Sequence, residues 1–134
     1  MNYLRYRKRF IRHWLSAPII YSVIVPVVIL DLWFEVYHRT CFPLYGMPYI
    51  KRSNYIKIDR HKLSYLDGLQ KIDCMYCGYV NGVLQYWVKI VGETEKYWCG
   101  IRHKKSKGFV EPPHHKDFVE YGDEKAYRKK YLDQ

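Results

Sequence analysis

A chain of 134 residues is one domain's worth of protein, and its four cysteines, Cys41, Cys74, Cys77 and Cys99, are too few and too scattered for a secreted disulfide scaffold. Lysine and arginine outnumber aspartate and glutamate by 23 to 13, a formal charge of +10, so polyanions are the natural partners. No glycine-rich phosphate loop, GxSxG elbow or HExxH helix is present, which removes the familiar enzyme classes and leaves a non-enzymatic role as the expectation.

Residues 1–13 form a basic segment with Arg5, Arg7, Lys8, Arg9 and Arg12. Residues 14–40 read as a membrane segment. Between Ala17 and Leu30 only Ser22 is clearly polar, and Leu32, Trp33 and Phe34 carry the apolar run past Asp31. The run approaches the ~20 residues that a crossing helix needs. A signal peptide is not expected, because no small-residue cleavage site follows. Trp14 before the run, and Trp33, Tyr37, Phe42, Tyr45 and Tyr49 after it, are placed like aromatic belts at head-group depth. Orientation is undecided, since Arg39, Lys51, Arg52, Lys57, Arg60 and Lys62 balance the basic residues upstream. Pro26 removes an amide donor in mid-run, so a single kinked crossing and a re-entrant hairpin both stand. Asp31 is costly in hydrocarbon unless it reaches head groups or a cation such as Arg39.

Residues 41–58 form an interfacial loop, opened by Pro43, Gly46 and Pro48. Tyr55–Asp59 alternates at period two and is expected to be extended. Residues 59–104 are expected to be a helical, cysteine-containing unit. Asp59 is placed to cap a helix through Leu63, Leu66, Leu69 and Ile72; a second helix carries Val80, Val83, Leu84, Trp87, Val88, Ile90 and Val91, with Gly92 as a possible interruption. Residues 105–134 are a basic loop followed by a short charged helix capped by Asp123. The fold class is therefore all-α: a small membrane-anchored protein with one N-terminal membrane helix or re-entrant hairpin and a short helical unit.

Cys74-Met-Tyr-Cys77-Gly78 has the spacing of a metal-binding knuckle, and Cys99-Gly-Ile-Arg-His103 presents sulfur and imidazole at i and i+4. Together Cys74, Cys77, Cys99 and His103 propose a Cys3His site for zinc, with iron as the alternative metal. If residues 78–98 form one unbroken helix, its rise of about 1.5 Å per residue puts the two pairs roughly 30 Å apart and makes them separate half-sites. A break at Asn81-Gly82 or Gly92 would let the chain fold back and unite them. A different chemistry, thiol redox or rubredoxin-like electron transfer, would use Cys74 and Cys77, with the Cys77 thiolate favoured by a helix N-terminus. His61 and the His114-His115 pair are read as solvated surface.

The blocks Asp31-Leu-Trp-Phe-Glu-Val-Tyr, Cys41-Phe-Pro-Leu-Tyr-Gly, Ile58-Asp-Arg-His, Cys74-Met-Tyr-Cys77, Tyr97-Trp-Cys99-Gly-Ile-Arg-His103 and Phe118-Val-Glu-Tyr-Gly-Asp123 resemble a family of small uncharacterised bacterial membrane-associated proteins with an N-terminal hydrophobic segment and a CxxC...CxxxH pattern. The resemblance implies a membrane-linked unit, without implying a substrate. The leading expectation is an accessory subunit of a larger complex in the bacterial inner membrane, its C-terminal unit on the cytoplasmic side, in contact with anionic lipid and other membrane-protein subunits. Binding of anionic lipid or nucleic acid through Lys104, Lys105 and Lys107 is a further alternative, with lipid favoured over nucleic acid.

Overall fold

The computed structural model describes residues 9–133; Arg5, Arg7 and Lys8 of the basic segment lie outside them. The protein is mainly helical, with no strand among the described residues. Its helices are α1 (Phe10–Ser22), α2 (Ile24–Leu44), α3 (Gly68–Trp98) and α4 (Glu124–Tyr131), joined by short 3-10 turns. Two compact units divide between Tyr86 and Trp87, within α3.

In the first unit, α1 and α2 make one apolar helical stretch, Phe10–Leu44, long enough to cross a membrane. Val23 separates them but holds right-handed helical dihedrals (φ −59°, ψ −24°), so the chain bends without reversing. Of the two arrangements open in the sequence, the hairpin is not formed. Pro26, inside the first turn of α2, lacks only an amide that the preceding turn leaves weakly held.

The first unit's core contains Val27, Phe42, Cys74, Val80, Val83 and Tyr86. Around it runs a polar network. Arg52 grips Asp31 bidentately at 2.5 and 2.6 Å and reaches Glu35 at 3.1 Å; Tyr79 donates to Asp31 at 2.7 Å. Asp31 thus finds its cation in Arg52 rather than in Arg39, which pairs with Glu35. The Ile50 amide donates to His38 Nε2 at 3.0 Å, so the ring proton sits on Nδ1 and is donated to the Tyr86 hydroxyl at 3.0 Å. Burial raises both Tyr79 and Tyr86 to about 12, helped by Asp31 at the first and Glu35 at the second. At the other end Tyr21 bonds Asp73, and the Tyr76 hydroxyl donates to the Ile20 carbonyl at 2.6 Å. Contacts therefore progress in the same direction along both partners, from Tyr21 with Asp73, through Asp31 with Tyr79, to His38 with Tyr86.

The segment Tyr55–Asp59, expected to be extended, starts in helical dihedrals at Tyr55 (φ −112°, ψ −37°) and forms no strand among the described residues. It lies in a groove of α3 made by two glycines one turn apart. A Cβ on Gly82 would sit 2.8 Å from the Ile56 Cα and 2.9 Å from the Tyr55 carbonyl; one on Gly78 would sit 2.9 Å from the Lys57 carbonyl. Gly78 therefore serves packing rather than a metal knuckle.

Asp59 offers no side-chain cap, and the helix starts later than its leucine spacing predicts. Asp67 and Gln70 supply the start through a reciprocal capping box: the Gln70 amide donates to Asp67 Oδ1 at 2.8 Å and the Asp67 amide to Gln70 Oε1 at 3.2 Å. From there α3 runs for 31 residues through Gly78, Gly82 and Gly92 without interruption. Its buried stripe is Val80, Val83, Tyr86, Trp87 and Ile90, whereas Leu84, Val88 and Val91, of the same periodic set, face outward.

The second unit packs Trp87, Ile90, His115, Phe118 and Val119 into a small core. Asp123 caps α4 as expected, accepting from the Ala126 amide at 2.9 Å.

Candidate metal centre

Glu95, His103 and His115 each offer a ligand atom, all within 4.8 Å of one another, and this group could hold a metal ion. Three local devices assemble it. Glu95 stands on the last turn of α3. Pro112 and Pro113 start the 3-10 helix Pro113–Asp117, which aims His114 and His115 back at that turn. His103 is carried in by a parallel bridge between Ile101 and Val119, in which the Val119 amide donates to the Gly100 carbonyl at 2.7 Å and the Arg102 amide to the Val119 carbonyl at 2.8 Å.

Arg102 locks the histidine turn from outside. Its guanidinium donates to the His115 carbonyl at 3.0 Å and the Lys116 carbonyl at 2.7 Å, and pairs with Glu120 at 2.7 Å. Its charge is thereby spent on backbone oxygens and a carboxylate. His115 is fully buried, its ring stacked on Phe118 at 4.7 Å between centroids, and the His103 ring lies 5.6 Å from it.

Glu95 bridges two imidazoles, with Oε2 2.6 Å from His114 Nε2 and Oε1 3.1 Å from His115 Nε2. Burial pushes the Glu95 carboxyl up, but hydrogen bonding from His114 and the interactions of His115 outweigh it and hold the group below the ordinary carboxylate value. An ionised carboxylate only accepts, so both Nε2 atoms carry protons. The His115 Nδ1 is buried without a hydrogen-bond partner among the described residues. His103 also lines a solvent-open cleft of about 310 Å³ with Lys105, Ser106, Phe109 and Glu111.

Of the residues that sequence spacing singled out, only His103 enters this group. Cys74 is buried and Cys77 exposed within α3, and exposed Cys99 follows its end. Because α3 continues through Asn81-Gly82 and Gly92, neither place holds the break that one shared Cys3His site would need. Cys77 also lies more than two turns inside the helix, where the dipole that would favour its thiolate has faded. Glu95 was not singled out by the sequence, and the His114-His115 pair, read there as solvated surface, is instead part-buried at His114 and fully buried at His115, since nothing in their spacing relates a helix end to a turn some twenty residues on. The prolines before the histidine pair were the available signal.

No protein-family model, curated protein or solved structure matches this chain.

Proposed function

We propose that this chain is a non-enzymatic membrane protein, an accessory subunit that rests on one leaflet of the bilayer through α1 and α2 and pairs there with other membrane subunits. One observation carries the reading: the most apolar window of Phe10–Leu44 is only 11% buried, whereas a core helix of a soluble protein would be mostly covered. Ile19 and Trp33 are 71% and 70% exposed. Val25, Ile29, Leu32, Trp33 and Val36 recur at helical steps on the uncovered side; Val27, Asp31, His38 and Phe42 occupy the covered one.

The covered side favours one leaflet over a crossing. Arg52 and the α3 residues Asp73 to Tyr86 accompany α1 and α2 from Tyr21 to His38, so a crossing would drag this polar escort, with exposed Asn81 and Gln85, into hydrocarbon. A helix lying in the interface buries its apolar face about 5–10 Å deep and leaves the escort in water. The basic residues on both flanks, undecided for a crossing, then belong to one side, and positive charge favours the cytoplasmic face. Anionic lipid supplies the counter-charge at roughly 1 kcal/mol per basic residue near the surface. Leu84, Val88 and Val91 on α3 supply a second apolar stripe for a partner subunit.

The test uses single cysteines at positions 9 and 48 in a cysteine-free background, labelled in sealed inner-membrane vesicles with an impermeant maleimide. Both sites react from the same side, and the protein resists carbonate extraction. Reaction from opposite faces would replace the one-leaflet reading by a crossing; recovery as a folded monomer without detergent would end the membrane reading altogether.

A further inference from the structure

We infer that Glu95, His103 and His115 form a binding site for a divalent transition-metal ion of the zinc class, with His114 as the residue that positions Glu95. The inference is independent of the membrane reading, since every residue in it belongs to the unit from Trp87 to Gln134.

The donor set is two imidazoles and one carboxylate, borderline and hard ligands that suit zinc and its first-row neighbours and leave a coordination position open. Spacing agrees. Zinc bonds of about 2.0–2.1 Å imply roughly 3.3 Å between neighbouring ligand atoms of a tetrahedron. Glu95 Oε1 and His115 Nε2 already stand 3.1 Å apart, and all three groups offer atoms within 4.8 Å. The residual distance falls on His103, the exposed member, whose side chain has room to close.

The His115 Nε2 that faces Glu95 gives up its proton when an ion takes the place between them, so that Nε2 and the Glu95 oxygen both become ligands. His114, at 2.6 Å from the second oxygen of Glu95, fixes the carboxylate. The ring of His114 rests on Gly92, where an added Cβ would come within 3.1 Å of its Nδ1; a bare helix position there makes room for the ring.

Full-length protein in detergent micelles is titrated with Zn2+ by calorimetry and with Co2+ by visible absorption. One ion binds per chain, and Co2+ gives the d–d bands of a nitrogen and oxygen site without a thiolate charge-transfer band. His103→Ala, at an exposed position that leaves the core untouched, weakens Zn2+ binding by at least about 100-fold, and His114→Ala weakens it by about 10- to 100-fold. Cys74→Ser, Cys77→Ser and Cys99→Ser leave affinity unchanged. Circular dichroism confirms that each variant keeps its helix content, and His103→Gln serves as the second variant if His103→Ala does not. The inference is overturned by absence of binding at about 0.1 mM Zn2+, by binding indifferent to His103, or by a thiolate band that Cys99→Ser abolishes.

Discussion

Replacing Gly82 by alanine sets two effects of opposite sign against each other. In the interior of α3 the change gains up to about 1 kcal/mol of helix propensity. Against it, the new methyl would lie 2.8 Å from the Ile56 Cα, 2.9 Å from the Tyr55 carbonyl oxygen and 3.1 Å from Ile56 Cγ1. Favourable carbon contacts lie at about 3.5–4.0 Å, so the segment must retreat by roughly 0.7 Å or more. Two of the three neighbours are backbone atoms, which no rotamer change can move. Overpacking of this kind costs about 1–3 kcal/mol, and the net expectation for Gly82→Ala is a destabilisation of about 1–2 kcal/mol. Gly68, at the start of the same helix, has nothing within 4 Å, so Gly68→Ala keeps the propensity gain and stabilises by up to about 1 kcal/mol. Denaturant unfolding in a fixed detergent measures both variants. Limited trypsinolysis adds a local readout, because lifting Tyr55–Ile58 from the groove frees the backbone beside Lys57 and Arg60, whose side chains are exposed in the fold. A Gly82→Ala protein as stable as Gly68→Ala, with unchanged cleavage, would refute the packing argument.

Arg52→Ala leaves buried Asp31 beside Glu35 without its main cation; unfolding measurements should show a loss of about 3 kcal/mol, at the low end for breaking a buried pair because the guanidinium is a third exposed. An intact variant would mean that the network contributes little. Tyr86 is raised from 10 to about 12 in the fold, so its contribution is complete below pH 10 and is lost as pH rises toward 12, by up to about 2.7 kcal/mol. Stability followed over that window should fall more steeply for the wild type than for Tyr86→Phe, and parallel curves would count against the assignment. Gly92→Ala presses on the His114 ring, three of whose atoms would lie 3.1–3.3 Å from the new methyl. It should therefore weaken Zn2+ affinity while leaving helix content unchanged, and calorimetry with unaltered affinity would show that the ring yields freely.

The apolar stretch and the Asp123 cap were legible because each depends on neighbours a few residues away along the chain. The mainly helical class follows from spacing alone, but the continuity of α3 does not, since spacing left breaks open at Asn81-Gly82 and Gly92. The buried set on α3 was read only in part. Val80, Val83, Trp87 and Ile90 are inside while Leu84, Val88 and Val91 are not, since apolar residues ran around much of the helix and periodicity could not say which stripe meets the rest of the protein.

The glycines show where local reasoning ends. Gly78 after Cys77 suggested a turn and Gly92 a break, yet both continue the helix because a neighbouring carbonyl or ring occupies the space that a side chain would fill. By itself the sequence determined that the chain is mainly helical, where the charge lies and that a long apolar segment exists; the helix ends were not legible, since α2 continues through Pro43 to Leu44 and α3 starts only at Gly68. Tertiary structure alone decided that Arg52 would be the cation for Asp31, and that Glu95, His103 and His115 would meet. Partner choice of that kind depends on how extended and turning segments return to a helix, and residues separated by twenty positions carry no periodic signal of their distance in space.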